Sequence, residues 1–95
     1  MSQMIKHLEL EYDGNDNETY TLLLNRVAQV ELPLSEDGAI EITYAINSFI
    51  EQCYKPNNII TIKNDNDNIG LIVDIWDAKQ DNCINSCCFY FEDFR

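Results

Sequence analysis

The hydrophobic period of the chain changes within SEDGAIEITYAINSFIEQCYKP, residues 35–56. Ser35 suits a helix N-cap, and Pro56 cannot continue a helix. Between them, apolar residues recur at spacings of three and four, as on one buried face of a helix. These residues are Ile42, Ala45, Ile46, Phe49, Ile50 and Cys53. The pattern therefore predicts one helix over about residues 39–54.

Apolar and polar residues alternate on both sides of this helix, as they do in half-buried strands. The stretch MIKHLELEY, residues 4–12, predicts one strand, and the Asp-Gly pair in DGNDNE, residues 13–18, predicts a turn. Residues 19–32 also alternate, but Arg26 interrupts the apolar side, so a bulge or tight turn is expected there and the run is one bent strand or two. Three more strands are predicted by NIITIK (58–63), IGLIVDIW (69–76) and CCFYFEDF (87–94).

These elements predict a single α+β domain spanning residues 1–95. We expect an antiparallel sheet of about five strands in ββαβββ-like order, with the helix packed on one face. That face is expected to carry Leu71, Val73, Ile75, Phe89 and Phe91. Truncating Phe49 or Phe89 to alanine is expected to cost about 3–5 kcal/mol, as buried aromatic side chains do.

The charge balance is strongly acidic, with 17 Asp and Glu against 6 Lys and Arg and a formal net charge of -11. A surface of this kind repels nucleic acid and anionic membranes and attracts basic proteins. The simpler alternative is that the charge only keeps the protein soluble. No apolar run approaches a membrane span and no signal-peptide pattern opens the chain, so a cytoplasmic protein is expected.

Four cysteines raise the question of a metal site or a disulfide. Zinc needs about four ligands, and Cys87 and Cys88 would point to opposite faces of a strand. His7 is the one histidine of the chain. Buried free thiols are therefore favoured, with a disulfide or a metal site as the alternatives.

Catalytic motifs are absent from the sequence. The stretch NDNDNIG fails as a calcium loop because Ile69 stands at the fifth position counted from Asp65. Three glycines are too few and too scattered for a phosphate-binding loop, and no serine has a base at a recognisable spacing. We therefore expect no enzyme activity, no metal and no cofactor.

A small, acidic, motif-free α+β domain is typical of proteins that bind and block another protein. Toxin-neutralising immunity proteins and phage inhibitors of nucleic-acid-handling defence enzymes, including anti-CRISPR inhibitors that mimic nucleic acid, are of this kind. The expected partner is a basic, nucleic-acid-binding protein, with no direct binding of nucleic acid. The alternative is an acidic adaptor or structural subunit that assembles through its sheet. The sequence leaves open whether the protein is a monomer or a homodimer.

Successive side chains of a strand point to opposite faces of the sheet, and this alternation, here called strand parity, predicts where a partner would bind. If CCFYFEDF is a strand, then Tyr90 and Glu92 point away from the helix, as Asp74 and Trp76 do on the neighbouring strand. Aromatic anchors among charges are the composition of a binding hot spot. The predicted site thus contains these four residues, with a rim of turn acids, which are Asp65, Asp67 and Asp77. The alternative is that a loop, the N-terminal hairpin or a second subunit covers this face.

Overall fold

One α-helix lies between two groups of antiparallel strands in the computed structural model, which describes residues 2–5, 7–14 and 19–95. The strands are β1 (Ser2–Ile5), β2 (Leu8–Tyr12), β3 (Tyr20–Leu24), β4 (Val27–Leu32), β5 (Ile59–Asn64), β6 (Gly70–Trp76) and β7 (Cys83–Tyr90). The helix, α1, is Glu36–Cys53, and a short 3₁₀ helix, Phe91–Phe94, follows β7.

The strands form two sheets, one in the order β1-β2-β3-β4 and one in the order β5-β6-β7. Strand β4 contacts β5, and α1 packs against strands of both sheets. The α+β class is confirmed. The three strands predicted after the helix are confirmed. The expectation of about five strands in one sheet, in ββαβββ-like order, is only approximate, because the described residues form four strands before the helix and the strands make two sheets.

The N-terminal half forms four strands that pair consecutively, where the sequence predicted one strand over residues 4–12 and one bent strand or two over residues 19–32. The stretch 4–12, predicted as one strand, is divided between β1 and β2. These two strands are antiparallel, and their pairing runs from Ile5 opposite Leu8 to Ser2 opposite Glu11. An alternating sequence looks the same whether it continues or folds back, so periodicity missed this turn. The predicted turn near Arg26 is confirmed: Asn25 and Arg26 both have positive φ, 51° and 70°, as type I′ hairpin turns require. Residues 15–18 of the predicted DGNDNE turn lie outside the described residues.

The predicted helix is confirmed and begins slightly earlier than expected. The Ser35 hydroxyl accepts a hydrogen bond from the Gly38 N–H at 3.4 Å, and Tyr54 caps the other end. The buried face comprises Gly38, Ala39, Ile42, Thr43, Ile46, Asn47 and Ile50. The carbonyl oxygen of Phe94 lies where a Cβ on Gly38 would be, so only glycine lets the 3₁₀ helix approach the start of α1 this closely.

The hydrophobic core is one cluster that joins α1 to both sheets. As predicted, Leu71, Val73 and Ile75 are buried on β6. The expectation that Phe91 lies on the last strand is wrong, because β7 ends at Tyr90 and Phe91 is buried as the first residue of the 3₁₀ helix. Phe49 and Phe89 meet edge to face with ring centroids 6.3 Å apart, but both remain half-buried.

Candidate partner-binding face

The face of the β5-β6-β7 sheet that points away from α1 carries the predicted site, and we call it the outer face. On β6 it contains Ile72, Asp74 and Trp76, the alternates of the buried residues. The strand register adds Thr61 and Ser86, which lie on either side of Asp74. The remaining members are Ile59, Lys63, Cys88 and Tyr90.

The outer face is open along β7 in the part of the chain that the structure describes. Tyr90 is 46 % exposed, and Ser86 and Cys88 are exposed as well. The alternative expectation, that a loop or the N-terminal hairpin covers this face, therefore does not hold for the described residues on this strand. Aromatic and thiol groups remain available there for contact with another molecule.

Asp74 lies on the outer face as predicted, but it is only 8 % exposed. The indole N–H of Trp76 donates a 2.8 Å hydrogen bond to the Thr61 hydroxyl, so the ring lies diagonally across the sheet beside Asp74. The predicted position of Asp74 on this face therefore does not make its carboxylate freely exposed. The site instead combines a half-buried indole with a carboxylate sheltered beside it.

Trp76 and Tyr90 do not form one cluster. Tyr90 pairs with Gly70, at the opposite end of β6 from Trp76. At about 3.3 Å per residue, their backbones are about 20 Å apart. Sequence parity placed both residues on one face but gave no register, so it could not reveal this separation.

Glu92 was predicted on the outer face, and this prediction is wrong. Glu92 lies in the 3₁₀ helix after β7, where strand parity no longer applies. Glu92 and Asp93 are exposed beyond the end of the strand. They add negative charge to that end of β7 rather than to the sheet surface.

The predicted rim acids lie in the turns at the two ends of the sheet. Asp65 and Asp77 each organise their own turn, because Asp65 accepts a hydrogen bond from the Ile69 N–H at 2.9 Å and Asp77 accepts one from the Asp81 N–H at 2.8 Å. Asp67 is exposed. Asp67 is therefore the rim acid whose charge can be changed without breaking either of these turn hydrogen bonds.

The turn role of Asp77 predicts a dependence of stability on pH. The Asp81 N–H holds the pKa of the Asp77 carboxyl below its usual value of 3.8, outweighing a raising effect of desolvation, and hydrogen bonds from Asn82 and Lys79 lower the pKa further. A pKa lowered by folding means that the ionised form stabilises the protein above pH 3.8, and this stabilisation is lost as the pH falls through the folded-state value.

We expect Asp77→Asn to show a smaller loss of Tm than wild type in thermal unfolding below about pH 4. Asp67→Asn is the control, and an equal loss of Tm in the wild type and both variants would contradict this role.

The cysteines are more exposed than predicted. Cys83 and Cys88 are exposed and Cys53 and Cys87 half-buried, so the expectation of buried thiols is wrong for the first two. Burial raises the pKa of the Cys87 thiol, and the nearby Cys88 and Cys53 thiols raise it further. Among the described residues, no three His, Cys, Asp or Glu side chains are grouped as metal ligands would be.

A concave feature lies between His7, directly before β2, and the end of α1. It is an open cleft of about 360 Å³ lined by His7, Ile50, Glu51 and Tyr54. The His7 and Tyr54 rings have centroids 6.5 Å apart. The sequence did not predict this cleft, because His7 is more than forty positions from the other three residues and no motif links them.

Comparisons with known proteins returned no match among family models, curated proteins or solved structures. Within the described ranges, no helix combines the length and the apolar character needed to cross a membrane.

Proposed function

We propose that this protein is a small acidic inhibitor that binds and blocks a basic, nucleic-acid-handling partner protein in the cytoplasm. It would act by occupying the partner's nucleic-acid groove, as phage anti-defence inhibitors do, or by neutralising a toxin, as immunity proteins do. It would act by binding alone, without catalysis. The observation that carries the proposal is the formal charge of -11 on a domain with an open sheet face.

The distribution of charge supports a basic partner. Acids lie at both ends of the β5-β6-β7 sheet: Asp65 and Asp67 in one turn, and Asp77 and Asp81 in the loop at the other end. Enzymes that handle nucleic acid carry basic grooves because neutralisation of phosphate dominates their affinity. Such a groove would be attracted to this surface from a distance, which speeds association.

The pair of Asp74 and Trp76 offers a contact for one cationic side chain of the partner. Asp74 is 8 % exposed, and no ion pair with another described residue neutralises its charge, so its carboxylate is open to pairing with a cation of the partner. A lysine or arginine lying over the indole would gain a cation–π contact and bring a positive charge to this carboxylate. Thr61 and Ser86, on either side of Asp74, supply hydroxyl groups around the same point.

The alternative function is that of an acidic adaptor or structural subunit that assembles through its sheet. The exposed strand β7 at the sheet edge is the observation that favours it. An adaptor would leave a nucleic-acid-binding enzyme active. A self-assembling subunit would elute as an oligomer on size exclusion.

The test is capture of partners from the native host on the immobilised domain, followed by assay of each captured protein. An inhibitor is expected to bind a basic enzyme one-to-one and abolish its nucleic-acid binding. Salt should weaken the complex, since the Debye length shrinks from about 10 Å at 0.1 M to about 3 Å at 1 M. Asp67→Lys should slow association with little effect on dissociation, and Asp67→Asn is its matched control.

Two outcomes would contradict the proposal. One is a gel shift of naked DNA or RNA by the purified domain. The other is that captured partners lack a basic surface or keep full nucleic-acid binding at saturating domain.

A further inference from the structure

Strand β7 is an unprotected sheet edge. It pairs with β6 on one side, and no other described strand pairs with it. Its sequence, CINSCCFY, contains no charged residue and no proline. Natural proteins usually protect such edges with lysine, proline or a covering element, because unpaired backbone groups attract another strand. In a chain as acidic as this one, an uncharged edge of eight residues stands out.

The hydrogen-bond pattern shows which backbone groups are available. The Phe91 N–H donates to the Ile69 carbonyl at 3.0 Å, so residues 85, 87 and 89 of β7 direct their backbone groups toward β6. The Asp65 N–H donates to the Gly70 carbonyl at 3.1 Å, which gives the same alternation from the β5 side. In an antiparallel ladder the intervening residues direct their N–H and C=O groups away from the sheet. These residues are Ser86, Cys88 and Tyr90, but Tyr90 is the N-cap of the 3₁₀ helix and its carbonyl is used there, so Tyr90 offers only its N–H.

The charges at the two ends of β7 indicate what can pair with it. Asp77 and Asp81 precede the strand with Lys79 between them, and Glu92 and Asp93 follow it with Arg95 after them, so each flank has two acids against one base and is net negative by one charge. Pairing of β7 with a second copy in the antiparallel sense would bring a net-negative flank of one copy beside a net-negative flank of the other at both ends. Like charges in such positions are destabilising. A segment with cations flanking about eight uncharged residues would instead be complementary along its whole length.

We propose that β7 binds an extended segment of the partner as an added strand, with Lys or Arg on both sides of an uncharged stretch. This inference rests on the proposed function and specifies how the basic partner is bound. The N–H groups of Ser86, Cys88 and Tyr90 and the carbonyls of Ser86 and Cys88 provide the hydrogen bonds, and the flanking acids fix the register. The exposed Tyr90 ring would cover a side chain of the added strand.

Amide hydrogen exchange of the intact protein tests this mode directly. The probe is a blocked peptide of alternating threonine and valine with two lysines at each end. Exchange of the Ser86, Cys88 and Tyr90 amides is expected to slow by about tenfold or more at saturating peptide, because each becomes hydrogen-bonded. The same peptide N-methylated at alternate residues is the control and should give no protection. Binding without protection of these amides, or no binding, would overturn the inference.

A pair of variants tests the same edge with the captured enzyme. Cys88→Pro removes an outward N–H that the fold does not use, whereas Cys88→Ser keeps it. Loss of binding by about tenfold or more in the proline variant alone supports strand addition. If Cys88→Pro fails to fold by circular dichroism, Ser86→Pro and Ser86→Ala replace the pair. Both lack the Ser86 hydroxyl, so the loss caused by proline is then measured relative to the alanine variant.

The two proposals fail separately. If the wild type inhibits a basic enzyme and a folded proline variant inhibits it equally, strand addition is wrong and the inhibitor function stands. If the peptide protects the three amides but no basic enzyme is captured, the inhibitor function is wrong and the strand-addition site stands.

Discussion

Phe91→Ala is expected to lower the free energy of unfolding by about 3–5 kcal/mol, the largest effect of any single truncation considered for this protein. Phe91 is only 2 % exposed and belongs to the core cluster that joins α1 to both sheets. Its backbone N–H is fixed by the Ile69 carbonyl, so the cavity left by the ring cannot collapse easily. Urea unfolding followed by circular dichroism measures the change.

Phe49→Ala and Phe89→Ala are the matched comparisons for this prediction. Both rings are half-buried, so the 3–5 kcal/mol expected from the sequence is too large for them, and we expect roughly half of it. Phe91→Leu should recover most of the stability because it keeps an apolar side chain in the core. A Phe91→Ala variant that unfolds within about 1 kcal/mol of wild type would show that the core is assigned wrongly.

Trp76→Ala is expected to weaken partner binding by about 2 kcal/mol or more, roughly 30-fold in Kd, if the outer face is the contact surface. The indole is held in place by its hydrogen bond to Thr61, so little side-chain entropy is lost when a partner packs on it. Truncation would also remove the ring that lies beside Asp74. Titration calorimetry against the captured enzyme measures the change, with circular dichroism to establish that the variant is folded.

Trp76→Phe and Tyr90→Ala separate the contributions to this effect. Trp76→Phe keeps an aromatic ring but loses the hydrogen bond to Thr61, so an intermediate loss is expected. Tyr90 pairs with Gly70, at the opposite end of β6 from Trp76. The losses of binding free energy caused by Trp76→Ala and Tyr90→Ala should therefore add in the double variant. Full inhibition by the folded double variant would place the contact surface elsewhere.

Several features of the chain were predictable because they depend on neighbours in sequence. Helix α1 follows from apolar spacing together with the Ser35 cap. The turn at Asn25 and Arg26 follows from a polar pair that interrupts an alternating run. The acidic surface follows from composition alone. The α+β class follows from the order of strand-like and helix-like hydrophobic patterns along the chain.

The candidate site was predictable in content more than in arrangement. Trp76, Asp74 and Tyr90 were assigned to one face from strand parity, and the register bears this out. Parity fails where a strand ends, which is why Glu92 was misplaced. The turn roles of Asp65 and Asp77 require hydrogen-bond geometry that composition does not contain.

Local sequence by itself determined the helix, its cap, the short-range turns and the charge of this protein, because each depends on residues within a few positions of one another. The tertiary structure alone decided the division into two sheets, the burial of Asp74 and Phe91, the separation of Trp76 from Tyr90 and the free edge of β7. These features depend on which distant strands pair and in which register. Different strand pairings compete through their long-range contacts. The hydrophobic periodicity of the sequence is compatible with several of these pairings, so it does not select one.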